Sequence, residues 1–183
     1  MKTYSPADLE RQRLAHLRAD GYGRHRHLYL HEAMRRLAAA VAARKPGAPL
    51  TMLDYGCGKG GFIEEVRNLD LFAEITGFDP AVRQFHARPS GRFDVVTCLD
   101  VLDVVQPRFM DALLEDVAGL TGDTAVFDCL TRPRQDSPLK PHPPFYWRQL
   151  VHRGMEAMET KVEFAGMDGF ERVVIEARPR ASA

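Results

Sequence analysis

The spacing of apolar residues changes once along this chain, and the change divides it in two. Up to residue 46 they recur at helical intervals. Ser5-Pro6-Ala7-Asp8 reads as a helix start, with a hydroxyl cap, proline in the first turn and an acid behind it. That helix should end near Asp20-Gly21. Leu30, Ala33, Met34, Leu37 and Val41 predict a second helix from about Arg26 to Arg44, and Pro46-Gly47-Ala48-Pro49 then breaks the chain. From Leu50 onward, short apolar runs alternate with helical patterns, which is the texture of an α/β sheet with parallel strands. Strands are predicted at Leu50–Tyr55, Glu74–Asp79, Phe93–Leu99 and Thr124–Leu130, with helices over Gly60–Leu69 and Arg108–Leu120. Met158, Thr160, Val162 and Phe164 alternate with Glu159, Lys161 and Glu163, as in a half-exposed strand. Val173–Ala177 is the last strand, and Gly166–Gly169 should join the two in an antiparallel pair.

A single domain follows for 183 residues, with 1–46 as a helical cap and 50–178 as the sheet core. Lys plus Arg equals Asp plus Glu at 25 each, so no overall field draws the chain to nucleic acid or to a membrane surface. Three cysteines without CxxC spacing give neither a disulfide framework nor a zinc signature; Cys57, Cys98 and Cys129 read as small apolar fillers at strand ends. No apolar run approaches membrane-spanning length and the first residues are charged, so a reducing cytoplasm is the expected location.

The chemistry concentrates in Asp54-Tyr55-Gly56-Cys57-Gly58-Lys59-Gly60-Gly61, between a predicted strand and a predicted helix. Glycines there let the backbone turn sharply and approach a bound nucleotide. Gly56, Gly58 and Gly61 also satisfy the dinucleotide pattern G-x-G-x-x-G, with Asp79 as the acid after the next strand. Against a dinucleotide stands Asp54, two residues before the first glycine. There a carboxylate repels a pyrophosphate but can hold the ammonium of a methionine moiety. Only one mononucleotide-binding half is present, whereas a dinucleotide normally needs two.

Leu53–Gly60 resembles the first motif, D-x-G-x-G-x-G, of the class I S-adenosylmethionine-dependent methyltransferases. Gly77-Phe78-Asp79-Pro80 is similar to their second motif, and Phe93–Asp103 to their fourth-strand motif. The resemblance runs from about residue 50 to 178. It implies a Rossmann-like sheet, S-adenosyl-L-methionine as cofactor, and cofactor contacts from Asp54, Gly56, Cys57, Gly58, Gly60, Phe78, Asp79, Pro80, Leu99 and Asp100, with Asp79 on the ribose hydroxyls. Similar enzymes often cover the cofactor with an N-terminal helix, which adds Tyr22 and Arg24. Two departures stand out. Only thirteen residues, Pro80 to Arg92, precede the next core strand, so the third strand and its helix look trimmed, leaving Phe85 or His86 as adenine-pocket candidates. Asp103-Val104 stands where relatives often carry Glu-His, which weakens any case for a metal or a base there.

Other positions fill in the picture. His27 and His31 lie four apart on a helix but lack a third ligand at fixed spacing, so no metal is expected. His142-Pro143-Pro144-Phe145 mimics the loop of amino-group methylating enzymes acting on nucleic acids, yet it follows Thr124–Leu130, the family's fifth strand, rather than Phe93–Leu99, its fourth, and no nucleic acid partner is expected. Arg132–Trp147 is a long, proline-rich connection at the carboxyl end of the sheet, and its His142, Tyr146 and Trp147 are candidate substrate-wall residues. His142 is the first candidate base, with Asp100 and Asp103 orienting it or the acceptor, and His25 the next. The expected activity is methyl transfer, by in-line displacement, to an oxygen or nitrogen of a small molecule or glycan. The alternatives are a non-catalytic S-adenosylmethionine-binding scaffold and, less favoured, an NAD-dependent oxidoreductase. Oligomeric state has no signature in the sequence.

Overall fold

A computed structural model describes residues 5–18, 21–23, 30–130, 144–162 and 172–179. It begins with α1 (Pro6–Arg18) and α2 (His31–Arg44). The cap of α1 is as the sequence suggests: the Asp8 backbone N–H donates to Ser5 Oγ at 3.1 Å, and the Ser5 hydroxyl donates back to the Asp8 carboxylate. Then come β1 (Thr51–Tyr55), α3 (Gly61–Arg67), β2 (Glu74–Phe78), β3 (Phe93–Leu99), α4 (Pro107–Leu120), β4 (Thr121–Leu130), α5 (Pro144–Gly154), β5 (Met155–Val162) and β6 (Arg172–Pro179).

The six strands form one sheet in the order β2-β1-β3-β4-β6-β5. The pairs β1·β2, β1·β3 and β3·β4 are parallel, whereas β6 runs antiparallel to both β4 and β5. The Rossmann-like arrangement with an antiparallel closing pair is therefore present. The trimming is real as well: between Asp79 and β3 the chain makes a single helical turn, Arg83–Phe85, and no strand.

Alternation along the strands sorts the core into two layers. Leu53, Tyr55, Val96, Cys98, Phe127 and Ile175 pack with Leu113, Val117 of α4 and Val151 of α5 on one face. Met52, Val95, Leu99, Val126 and Val174 pack with Met34, Leu37 and Val41 of α2 and Phe62 and Val66 of α3 on the other. The same alternation puts Asp54, Thr97, Asp128 and Arg172 on the α2–α3 side of the sheet, in strand positions that would ordinarily be apolar. Strand order reverses at β1, because β2 lies on one side of it and β3 on the other. The crevice at the carboxyl ends of β1 and β3 is thus the expected ligand position of such a sheet.

Two boundaries depart from expectation. Thr121–Asp123 belong to β4 rather than to a connection, because α4 passes straight into extended backbone at Thr121, whose hydroxyl donates to the Val117 carbonyl at 2.7 Å. More consequentially, residues 144–154 form a helix where the sequence reads as a loop through Trp147. Pro143-Pro144 suggests an irregular segment, yet proline is well suited to a first helical turn, and Leu150 and Val151 are buried by the sheet. Residues 24–29, which include most of the expected first turn of the second helix, lie outside the described residues, as do the side chains of β5 from Ala157 on.

Candidate functional site

The glycine loop is fastened to both strands that flank it. The Gly56 and Cys57 backbone N–H groups donate to the Phe78 carbonyl at 2.7 and 3.2 Å, drawing the end of β1 against the end of β2. Tyr55 and Phe78 meet edge to face with centroids 5.1 Å apart and lock the same corner. Gly58 has φ +53, and a Cβ there would come within 2.6 Å of the Gly23 carbonyl oxygen, so only glycine fits this crossing. Gly60 caps α3 at φ +83 beneath the Phe85 ring.

Two buried carboxylates frame this loop. Asp54, 3% exposed at the end of β1, accepts from the Thr97 hydroxyl at 2.8 Å. Asp79, 8% exposed just past β2, accepts from the Gly58 N–H at 3.0 Å and from the Ala81 N–H at 2.8 Å. Burial raises the Asp79 carboxyl above the ordinary range, opposed by those backbone donors and by His16. Cys57 is buried between the two acids, and desolvation followed by both negative charges pushes its thiol far up, so it is inert filler. Cys98 and Cys129 are likewise buried and raised by desolvation.

The N-terminal segment closes over the loop. The Lys59 N–H donates to the Gly23 carbonyl at 2.6 Å. His16 of α1 lies with Nε2 3.9 Å from an Asp79 carboxylate oxygen, and its ring meets Tyr22 edge to face at 4.8 Å. Burial lowers the His16 pKa, with Lys59 adding to the effect and Asp79 opposing it. The Tyr22 hydroxyl donates to Gln12 at 2.7 Å. Between α1 and the turn after Asp79 lies a cleft of about 530 Å³, to which Arg13, His16, Leu17, Lys59, Pro80 and His86 contribute. Phe85, the other adenine-pocket candidate, packs on Gly60 and Gly77 instead, and its carbonyl accepts from the Asp79 N–H at 2.9 Å.

At the end of β3, Leu99 is buried in the α2-side core, and Asp100 has φ +56, a left-handed conformation that non-glycine residues rarely adopt. Arg172, 5% exposed on β6, donates from one guanidinium nitrogen to Asp100 and to both oxygens of the fully buried Asp128 at 3.0 and 3.1 Å. Burial alone would lower the Arg172 pKa; the two carboxylates outweigh it and raise it. Asp103 is half-buried on the turn beyond.

The structure thus brings together Asp54, Gly56, Cys57, Gly58, Gly60, Phe78, Asp79 and Pro80 around one loop, with Tyr22 above it and Leu99, Asp100 and Asp103 at the neighbouring strand end. Arg24, His25, His27 and His142 lie outside the described residues, as do the side chains of Tyr146 and Trp147. His31 faces Glu65, at 3.9 Å. Sequence reasoning missed His16 and the Asp128–Arg172 pair. Asp128 carried a signal, since a charge inside the apolar run Ala125–Leu130 demands a buried partner.

A parallel sheet that reverses its order at β1, with a glycine loop there and a buried acid after β2, defines a nucleotide-binding protein of the Rossmann-like class. Residues 22–164 match the family model described as a methyltransferase domain, and the chain belongs to that family. Solved structures share the fold. Magnesium protoporphyrin IX methyltransferase from Synechocystis with bound SAM superposes with a TM-score of 0.64 at 16% identity, covering 98% of this chain and 100% of that one. The 1,6-didemethyltoxoflavin-N1-methyltransferase of Burkholderia thailandensis, bound to 1,6-didemethyltoxoflavin and S-adenosylhomocysteine, gives 0.64 at 17% identity, covering 99% and 93%. An N-methyltransferase from Bradyrhizobium japonicum in complex with S-adenosylhomocysteine gives 0.59 at 13% identity, covering 99% and 100%. No curated protein matches the sequence. Among the described residues, no helix is long and apolar enough to cross a membrane.

Proposed function

We propose that this chain methylates an oxygen or nitrogen of a small molecule, with S-adenosylmethionine as donor. The observation that carries the reading is the pair of buried carboxylates on either side of a loop whose Gly56, Gly58 and Gly60 all take positive φ. The residues fit the cofactor: Asp79, held by two backbone N–H donors, keeps acceptor capacity for ribose hydroxyls, and Asp54 offers a carboxylate to a methionine ammonium. When bound, the cofactor supplies an activated methyl carbon, which passes in line to the acceptor atom as the neutral thioether leaves. The protein's part is then positioning and exclusion of water, with a base to take the acceptor's proton. The small-molecule substrates named for the Synechocystis and Burkholderia enzymes support an acceptor of that class. Oxygen is our first choice of acceptor atom, with His142 as the base, Asp103 orienting it and His25 as the alternative base.

The test has two stages. Calorimetry should show S-adenosylhomocysteine binding, and radiolabelled methyl should then appear on an acceptor drawn from a panel of hydroxyl and amine compounds. Binding without transfer to any acceptor would favour the scaffold reading, which Val104, an exposed apolar residue where relatives often carry histidine, supports.

A further inference from the structure

We propose that Thr97 is a positioning residue, which acts through Asp54 to hold the amino-acid end of the cofactor. This deepens the cofactor reading above and rests on it. Thr97 lies on β3, directly opposite Asp54 in the parallel ladder with β1. Its surroundings on that face of the sheet are apolar: Val95 and Leu99 along its own strand, and Val126 opposite it on β4. The side chain is fully buried. In such a layer valine has nearly the same shape, adds apolar surface to the core and brings no hydroxyl to be satisfied. Packing alone does not call for threonine here.

Asp54 accounts for it. The hydroxyl has one proton to give. Its oxygen lies 2.8 Å from Asp54 Oδ1 and 3.4 Å from the Leu53 carbonyl, so the carboxylate takes the bond. The ladder fixes both backbones, and a β-branched side chain is stiff about χ1, so the donor stays in place. A hydroxyl that donates to a carboxylate stabilises its negative charge and fixes the plane of its oxygens. A group that is to meet an ammonium at short range needs both, because its geometry must be set before the ligand arrives. Asp79 is held in the same manner by the backbone N–H groups of Gly58 and Ala81. Thr97 differs in being a side-chain donor, which a substitution removes without touching the glycine loop.

The experiment titrates wild type, Thr97→Val, Thr97→Ala and Thr97→Ser with S-adenosylhomocysteine and with 5′-methylthioadenosine, which carries the nucleoside without the amino acid. Thr97→Val and Thr97→Ala lack the hydroxyl and should weaken S-adenosylhomocysteine about tenfold, while 5′-methylthioadenosine stays within about twofold of wild type. Thr97→Ser keeps the hydroxyl without the methyl and should bind both ligands as the wild type does. Thr97→Ala and Thr97→Ser differ by the hydroxyl alone, so their comparison stands whether or not Thr97→Val folds. Equal S-adenosylhomocysteine affinity in Thr97→Ala and Thr97→Ser would overturn the proposal. So would an equal loss of 5′-methylthioadenosine, which would make Thr97 a support of the whole site rather than of its amino-acid end. A wild-type protein that binds neither ligand refutes the cofactor reading, and this inference falls with it.

Discussion

Asp79 is the residue on which most of the site turns. Its carboxylate is withdrawn from water and held by two backbone donors, an arrangement that keeps its free lone pairs aimed at one place. Replacing it with alanine should weaken S-adenosylhomocysteine by roughly 10–100-fold, the equivalent of charge-assisted bonds worth about 1.5–3 kcal/mol. Because burial raises its pKa, the ionised form, which in the proposed role accepts ribose hydroxyls, is lost earlier than usual as pH falls. Affinity should therefore hold at neutral pH and decline as pH drops through that raised value. Asp79→Asn should show a weaker affinity with a flatter pH profile, measured by calorimetry in matched buffers. An Asp79→Ala protein that folds and binds as tightly as wild type would remove this acid from the site.

At the scale of elements, the contact between the 21–23 turn and the glycine loop joins the N-terminal helices to the sheet. Gly58→Val would set a branched side chain against the Gly23 backbone and force it into a left-handed conformation. Unliganded stability should fall by about 1–3 kcal/mol in urea unfolding, and S-adenosylhomocysteine affinity by more than tenfold. A variant that loses the stability but keeps the affinity would show that the latch serves folding alone. The same elements mark what was legible in the sequence. β1, β2, β3, α3 and α4 were readable because each joins a strong apolar period to a glycine or proline boundary, and the loop's acids fall at fixed distances from those glycines. α5 was not readable, since its apolar stripe is short and it starts at the second residue of a proline pair. His16 was invisible for another reason: a lone histidine on a polar helix gives no hint that tertiary packing carries it to Asp79. The Asp128–Arg172 pair lies 44 residues apart in sequence, and only the antiparallel return of β6 brings it together.

That return matters for the whole molecule. Arg172 ties the closing antiparallel pair to the carboxyl ends of β3 and β4, and it holds Asp100 in its left-handed conformation beside the proposed cofactor site. Removing one partner of a buried ion pair commonly costs about 3–5 kcal/mol, because the charge left behind stays in a low-dielectric interior. Arg172→Met should lose stability on that scale, and Asp128→Asn less, since its amide keeps an acceptor for the guanidinium. If chemical denaturation shows Arg172→Met within 1 kcal/mol of wild type, approximately the range of a surface pair, the network is not what anchors β6.

A ligand that binds only the folded chain stabilises the whole of it, so cofactor identity can be read without knowing the acceptor. At a hundred times its dissociation constant, such a ligand adds about 2.7 kcal/mol. For a chain of this length each kcal/mol shifts the melting temperature by roughly 2–4 °C, so saturating S-adenosylhomocysteine should raise it by about 5–10 °C. NADH at the same concentration should leave it unchanged. The glycine pattern alone permits either ligand, but Asp54 places a buried negative charge where a pyrophosphate would have to approach, and the sheet turns back through β6 instead of building a second nucleotide-binding half. EDTA should alter neither the melting temperature nor the shift, because the contacts proposed for Asp54, Asp79 and the glycine loop are hydrogen bonds and charge, with no metal among them. A rise with NADH that matches or exceeds the rise with S-adenosylhomocysteine would reverse the assignment. A rise that EDTA abolishes and a divalent ion restores would instead bring a metal into the site and direct attention to the histidines between Gly23 and Glu32.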